Sequence, residues 1–350
     1  MSSSLLSAYG WSDRVAALLS LADAPDHQPA RVTRVDRGSV LAATDTQVVR
    51  ARSHEPVVTG DWVTLASDGY DGWDVADVLP RWSTLSRVDP KPGGMEEQVL
   101  AANVDLVAVV SALDRPVVEN RIERMLAFAW QAGSTPIVVL TKADVAPDLD
   151  AAVEGARDAA GVVDVVVTSA ETGEGIEELR GVVAGRTVAL VGQSGAGKST
   201  LVNRLVGEDV QTIGAVRAED GRGRHTTTSR ELVPLPGGGV LLDTPGIRSL
   251  ELWGGAPEAV DASFTDIDDL AETCHFTDCE HRTEPGCAVL AAVADGSLDA
   301  RRFESYRKLE RELAAFERRH DPYERRRQGR EFGQVIKRME KMDPERWNRR

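Results

Sequence analysis

The chain has 350 residues, 42% of them hydrophobic and 28% charged, with a formal net charge of −15. At roughly 100 to 200 residues per domain this predicts two or three domains, and the apolar share excludes wholesale disorder. No apolar run approaches the ~18 residues of a membrane span. The start, MSSSLLSAYGWSDR, lacks a basic stretch before a long apolar core, so neither a membrane partner nor a signal peptide is expected. The charge is unevenly distributed. Residues 301–350 hold 17 Lys+Arg against 10 Asp+Glu, a basic tail on an acidic body. The three cysteines all lie between Cys274 and Cys287. An odd, clustered set points to a reducing, cytoplasmic compartment and to metal binding, not to a disulfide framework.

Residues 1–30, rich in Ser, Ala and Asp, read as an N-terminal extension expected to be poorly ordered. From 31 to 89 short alternating runs (VTRV, VLAAT, QVVRARS, DWVTLA, WDVADVL) are separated by Gly and Asp turns. Five such strands predict a small β-barrel, an OB-fold or its SH3-like competitor. PKPGG (90–94) reads as a linker. From 95 to 253 the rhythm is β/α. DLVAVVSAL is a continuous apolar run, as a buried parallel strand should be. A helix over 118–132, the strand PIVVLTK, a helix over 147–160, the strand VVDVVVTSA and a helix over 176–183 follow. The strand RTVALVG, a helix from Lys198 and a hairpin around Gly237–Gly239 complete a doubly wound α/β domain. The remainder, 254–350, is acidic through its Cys/His cluster. It then becomes a helix over 299–319, with Phe303, Tyr306, Leu309, Leu313 and Phe316 at helical spacing.

The segment Gly192-Gln193-Ser194-Gly195-Ala196-Gly197-Lys198-Ser199, followed by Thr200, fits the phosphate-loop pattern G-x4-G-K-[ST] without exception, between a strand and a helix. Its glycines let successive N–H groups turn toward phosphates, and the helix start adds partial positive charge. Lys198 is expected to reach the β and γ phosphates of a nucleotide, and Ser199 to ligate Mg²⁺. Asp243-Thr244-Pro245-Gly246 ends the apolar strand GVLL about 45 residues on, where such proteins place the carboxylate for magnesium and a glycine N–H for the γ-phosphate. The aperiodic stretch between them contains His225 and Thr226, Thr227 and Thr228. One of these threonines is expected to close on Mg²⁺. Ile247 follows Gly246 where Ras-like enzymes carry Gln, and it cannot orient water by hydrogen bonding. Intrinsic hydrolysis is therefore expected to be slow, with His225 the candidate for positioning water.

Thr141-Lys142-Ala143-Asp144 ends a buried strand and resembles the [NT]KxD guanine motif. Asp144 can accept from guanine N1–H and N2–H together, a donor pair that adenine lacks, which selects GTP and GDP. Lys142 would lie along the base. Thr141 in place of Asn is expected to cost one supporting hydrogen bond. Ser169-Ala170 at the next strand end would bring the Ala170 N–H to guanine O6. These base-binding segments precede the phosphate loop, the reverse of the Ras-like order, which is a circular permutation. Further on, Cys274-x4-Cys279-x-His281-x5-Cys287 supplies four ligands suited to one tetrahedral structural Zn²⁺. His275 is a neighbouring competitor less favoured by spacing.

Taken with TGDWV (59–63), LPRWSTLSR (79–87), QVLAANVD (98–105) and GRHTTT, these motifs resemble the ribosome small subunit-dependent GTPase (RsgA/YjeQ) family over about residues 31–320. The resemblance implies an OB-fold barrel, a circularly permuted P-loop GTPase domain and a zinc-binding α-helical C-terminal domain. It also implies a monomer that docks on the 30S subunit and its rRNA late in assembly and hydrolyses GTP there. The barrel and the basic tail would contact RNA phosphates. Two alternatives are a GTP-gated assembly scaffold with incidental hydrolysis and a large-subunit assembly GTPase.

Overall fold

The computed structural model describes residues 4–22, 26–70, 72–91, 94–207, 230–243 and 257–320. Five strands form the first sheet: β1 (Gln28–Asp36), β2 (Ser39–Ala43), β3 (Val48–Arg52), β4 (Trp62–Ser67) and β5 (Trp73–Val78). They pair in the order β1-β2-β3-β5-β4, and β4 returns to β1 to close the barrel. The β3–β5 pair is parallel and the others antiparallel. That closure is the five-stranded OB topology, which decides between the two barrels that the strand count left open. Alternation does the work on β3, where Val49 and Ala51 are buried and Arg50 and Arg52 face out.

The N-terminal residues differ from expectation. Leu5–Ala8 (α1) and Asp13–Leu21 (α2) are helices. Leu6 and Val15 bury against Trp62 and Leu79, and Trp11 meets Trp62 edge-on with ring centroids 5.6 Å apart. Val15, Leu18 and Leu19 therefore cover one side of the barrel, burying area that offsets the cost of ordering the segment. The expected linker differs as well. Thr84–Lys91 (β6) and Gly94–Ala102 (β7) pair antiparallel, from Thr84 with Ala102 to Lys91 with Gly94, so Pro90, Lys91 and Gly94 lie in strands.

The next sheet contains β8 (Leu106–Ala112), β9 (Thr135–Thr141), β10 (Val165–Val167), β11 (Thr187–Val191), β12 (Glu231–Pro234) and β13 (Val240–Asp243). Its order is β10-β9-β8-β11-β13-β12, parallel throughout except for β12. Both faces are covered. On β8, Val107 and Val109 join the core that contains α3 (Glu119–Gln131) and α4 (Leu149–Ala160). Leu106, Ala108 and Val110 join the opposite core with α5 (Ile176–Val183) and α6 (Lys198–Val206). Two-sided burial is why this strand reads as an unbroken apolar run. At its far edge β12 pairs with β1 of the barrel through Arg34 and Glu231, so the two sheets are continuous.

Among the described residues four helices follow: α7 (Pro257–Asp261), α8 (Thr265–Ala271), α9 (Ala288–Asp295) and α10 (Ala300–His320). Phe264, Ile267, Val289, Ala292, Leu309 and Leu313 share a core with α3. Among the described residues no helix is long and apolar enough to cross a membrane.

Candidate nucleotide and metal sites

The strand ends β8, β9 and β11 converge at the carboxyl edge of the parallel sheet, where open α/β folds bind ligands. Val191 passes into the loop from Gly192 to Gly197, and α6 starts at Lys198. Gly192 sits at φ +147°, and a Cβ there would run into the carbonyl oxygen of Val110 on β8. A side chain at this position would push the loop off the neighbouring strand. Lys198 Nζ lies over the loop and donates to the carbonyls of Gly192 at 2.7 Å and Gln193 at 2.6 Å.

The segment expected to read guanine touches this loop directly. Thr141 Oγ1 donates to the carbonyl of Ala196 at 2.7 Å. Lys142 adopts φ +62°, which starts the turn Ala143–Val145. Asp144 Oδ1 accepts from Ser169 Oγ at 2.5 Å, bringing together the two segments expected to bind the base. Ser169 is buried, and its hydroxyl also takes the N–H of Thr172.

Sequence reasoning overlooked Asp114 and Arg115, at the end of β8. Lys142 Nζ donates to Asp114 Oδ2 at 2.6 Å and Arg115 Nε to Asp114 Oδ1 at 3.0 Å. Those two cations, Arg115 first, hold the Asp114 carboxyl down to about 2. The only available signal was a charged Asp-Arg-Pro closing an apolar strand. Asp243 ends β13 one residue beyond the Leu242–Ala189 pair, beside the strand that leads into the phosphate loop. His225, Thr226, Thr227, Thr228 and Gly246 lie outside the described residues, as do residues 321–350 of the basic tail.

The second site lies between α8 and α9. Donor atoms of Cys274, Cys279, His281 and Cys287 all fall within 4.8 Å of one another, so the group can hold a metal ion. Cys274 Sγ is 3.9 Å from Cys287 Sγ, and His281 Nδ1 is 3.7 Å and 3.4 Å from those two sulfurs. Ligand atoms on a tetrahedral ion with bonds of about 2.1–2.3 Å stand about 3.6–3.8 Å apart, close to the spacing of Cys274, His281 and Cys287. Burial lowers the affinity of His281 for a proton, which favours the neutral ring a metal requires. His281 occupies φ +53°, a left-handed conformation that turns its ring inward. His275 points elsewhere and packs edge-on against Phe276. The Glu284 carboxylate accepts the N–H groups of Glu280, Arg282 and Thr283, which closes the ligand loop.

A P-loop following a parallel strand, base-binding segments earlier in the chain and that sheet order define a circularly permuted GTPase, an enzyme that hydrolyses GTP to GDP and phosphate. The family model described as RsgA GTPase matches residues 78–253, and one described as 50S ribosome-binding GTPase matches 187–322. The chain belongs to the RsgA GTPase family. The small ribosomal subunit biogenesis GTPase RsgA of Streptomyces coelicolor is 48% identical over 88% of this chain and 87% of its own. That of Opitutus terrae is 43% identical over 91% and 92%. YjeQ from Thermotoga maritima superposes with a TM-score of 0.64 at 27% identity, over 82% of this chain and 99% of its own. YloQ, a circularly permuted GTPase at 22% identity, shares the fold, with a TM-score of 0.62 over 83% and 96%.

Proposed function

We propose that this GTPase binds the small (30S) ribosomal subunit late in its assembly and couples GTP hydrolysis to maturation and to its own release. The carrying observation is the permuted order. It places Asp243-Thr244-Pro245-Gly246 at the end of the GTPase segment, directly before the Cys/His helices. A change at the γ-phosphate then has a short covalent path to whatever those helices touch. The names of the curated relatives, small ribosomal subunit biogenesis GTPases, support the choice of partner.

Within this reading Asp144, Lys142, Ser169 and Ala170 hold guanine, and the loop with Lys198 holds the phosphates. Ser199 and Asp243 hold Mg²⁺, which neutralises charge on the β and γ oxygens when bound. Ser199 stands in the first turn of α6 beside Lys198, and Asp243 ends the neighbouring strand, a placement that suits the ion. One of Thr226, Thr227 and Thr228 closes the switch, and His225 orients water. The Cys3His group holds Zn²⁺ as a closed structural site, since thiolates and imidazole at tetrahedral spacing favour it. The barrel and tail bind rRNA. The protein acts as a cytoplasmic monomer.

The test is the GTP hydrolysis rate of the purified chain alone, with 30S subunits and with 50S subunits. Stimulation by 30S is expected. The match to a model described as 50S ribosome-binding GTPase makes the other outcome specific: stimulation by 50S alone would sink the proposal. In the same assay, an unchanged 30S-stimulated kcat in His225→Ala would remove that residue's role.

A further inference from the structure

The residue that follows Gly246 is Ile247, so the chain has no glutamine at the position where Ras-like enzymes orient water. Phosphoryl transfer also needs positive charge at the β–γ bridge as the leaving oxygen gains electrons, and an arginine is the usual supplier beyond Lys and Mg²⁺. Two arginines, Arg115 and Arg121, line the cleft beside the phosphate loop, and Arg115 is the one whose guanidinium reaches toward Gly195. Arg115 lines a cleft together with Gly192, Gln193 and Ala196 of that loop. Its Nη2 stands 3.7 Å from the place a Cβ on Gly195 would occupy. Gly195 is the fourth residue of the loop, in the stretch of backbone that cradles the phosphates.

We propose that Arg115 is a catalytic residue of this GTPase, an arginine supplied in cis whose guanidinium contacts the oxygens at the β–γ phosphate bridge. Asp114 is its positioning residue. One carboxylate oxygen takes Nε of Arg115 and the other takes Nζ of Lys142. With Nε occupied, the Nη1 and Nη2 edge of the fork is the part presented to the loop, and among the described residues that edge makes no other hydrogen bond. Pro116 follows immediately and restricts the backbone that carries the side chain. One short segment thereby ties the base-binding lysine to a phosphate-facing arginine.

In the reaction a water oxygen forms a bond to Pγ while the bond from Pγ to the bridging oxygen breaks. The bonding pair leaves on GDP, and a water proton ends on the released phosphate or in solvent. Arg115 stabilises the negative charge that grows on the bridging oxygen and is unchanged at the end. Because that charge is larger in the transition state than in bound GTP, the contact acts on kcat more than on KM.

Single-turnover hydrolysis without ribosomal subunits tests this, so its failure is separate from any failure of the 30S reading. Arg115→Ala is expected to lower the hydrolysis rate roughly 10- to 100-fold with GDP affinity within threefold of the parent. Arg115→Lys should restore part of the rate, through charge without the fork. Affinity for GDP with aluminium fluoride, a mimic of the transferring phosphoryl group, should fall in Arg115→Ala by about the same factor as the rate. Thermal melting of each variant checks folding. A rate within twofold of the parent overturns the proposal. So does an equal loss of GDP and of GDP–aluminium fluoride affinity, which would make Arg115 a ground-state binder. Asp114→Asn should slow the parent but not the Arg115→Ala background, and additive losses would overturn its positioning role.

Discussion

Thr141 stands where guanine-binding motifs more often carry asparagine, and its hydroxyl reaches the carbonyl of Ala196 at 2.7 Å. This one contact joins the base-reading turn to the phosphate loop across 55 residues of sequence. On the proposed assignment of base and phosphates, the two ends of the nucleotide site are registered to each other before binding, which reduces the ordering cost. Thr141→Val keeps the shape and removes the donor, leaving a carbonyl without its partner. GDP affinity is expected to fall roughly tenfold, equivalent to about 1.4 kcal/mol. A fluorescent-GDP titration checks it, and unchanged affinity would mean that Gly192 and its neighbours hold the loop without help.

At the scale of elements, the contact between α3 and the C-terminal helices carries the most charge. Glu123 on α3 is fully buried, and its carboxylate accepts from Arg301 at 3.2 Å and Arg302 at 3.3 Å. Arg302, only 6% exposed, also makes a two-pronged pair with Asp266 at 2.6 Å and stacks on Phe264 at 4.7 Å. A helix of the GTPase sheet and a helix of the Cys/His region are thus joined by a hydrogen-bonded ion network inside apolar surroundings. Breaking such a network from one side leaves a charge buried with too few partners. Glu123→Ala is expected to cost about 3 kcal/mol, read as a lower denaturant midpoint. A loss under about 1 kcal/mol would mean that Asp266 suffices for Arg302.

The whole molecule is three folded parts with unlike joints. The barrel and the α/β sheet share a strand pairing through β1 and β12, and Arg31 reinforces that joint. Its buried guanidinium stacks on Trp62 at 5.0 Å and donates to the Asn103 carbonyl at 3.2 Å and Thr187 Oγ1 at 2.8 Å. The C-terminal helices depend instead on packing and on the Cys3His group. α8 has only seven residues and α9 eight, too short to persist without tertiary support. Removing the metal with a strong chelator under reducing conditions is therefore expected to lower the melting temperature of this region by several degrees, with GDP affinity unchanged. A metal-depleted chain that melts with the parent would show that the helices hold themselves.

Much of this was legible in the amino-acid sequence, and the reason is locality. The phosphate loop, the base-reading turn and the Cys/His spacing are short segments whose chemistry depends on neighbouring residues. The apolar runs of β8, β9 and β11 record burial on both faces. The permuted order follows from positions alone. Alternation along 31–89 announced five strands, but only their pairing, with β3 beside β5 and β4 beside β1, distinguishes an OB barrel from other closures. The N-terminal helices were missed because their apolar residues are few and become stable only against Trp62 and Leu79. The β6–β7 pair was missed because Pro and Gly at strand ends read as a linker. Thr141 on Ala196, Asp114 between Lys142 and Arg115, and Glu123 on Arg302 are meetings of side chains that the tertiary structure brings together. Sequence determined which chemistry this chain carries. Tertiary structure decided which groups hold that chemistry in place, because a hydrogen bond depends on distance in space and charge pairing on burial.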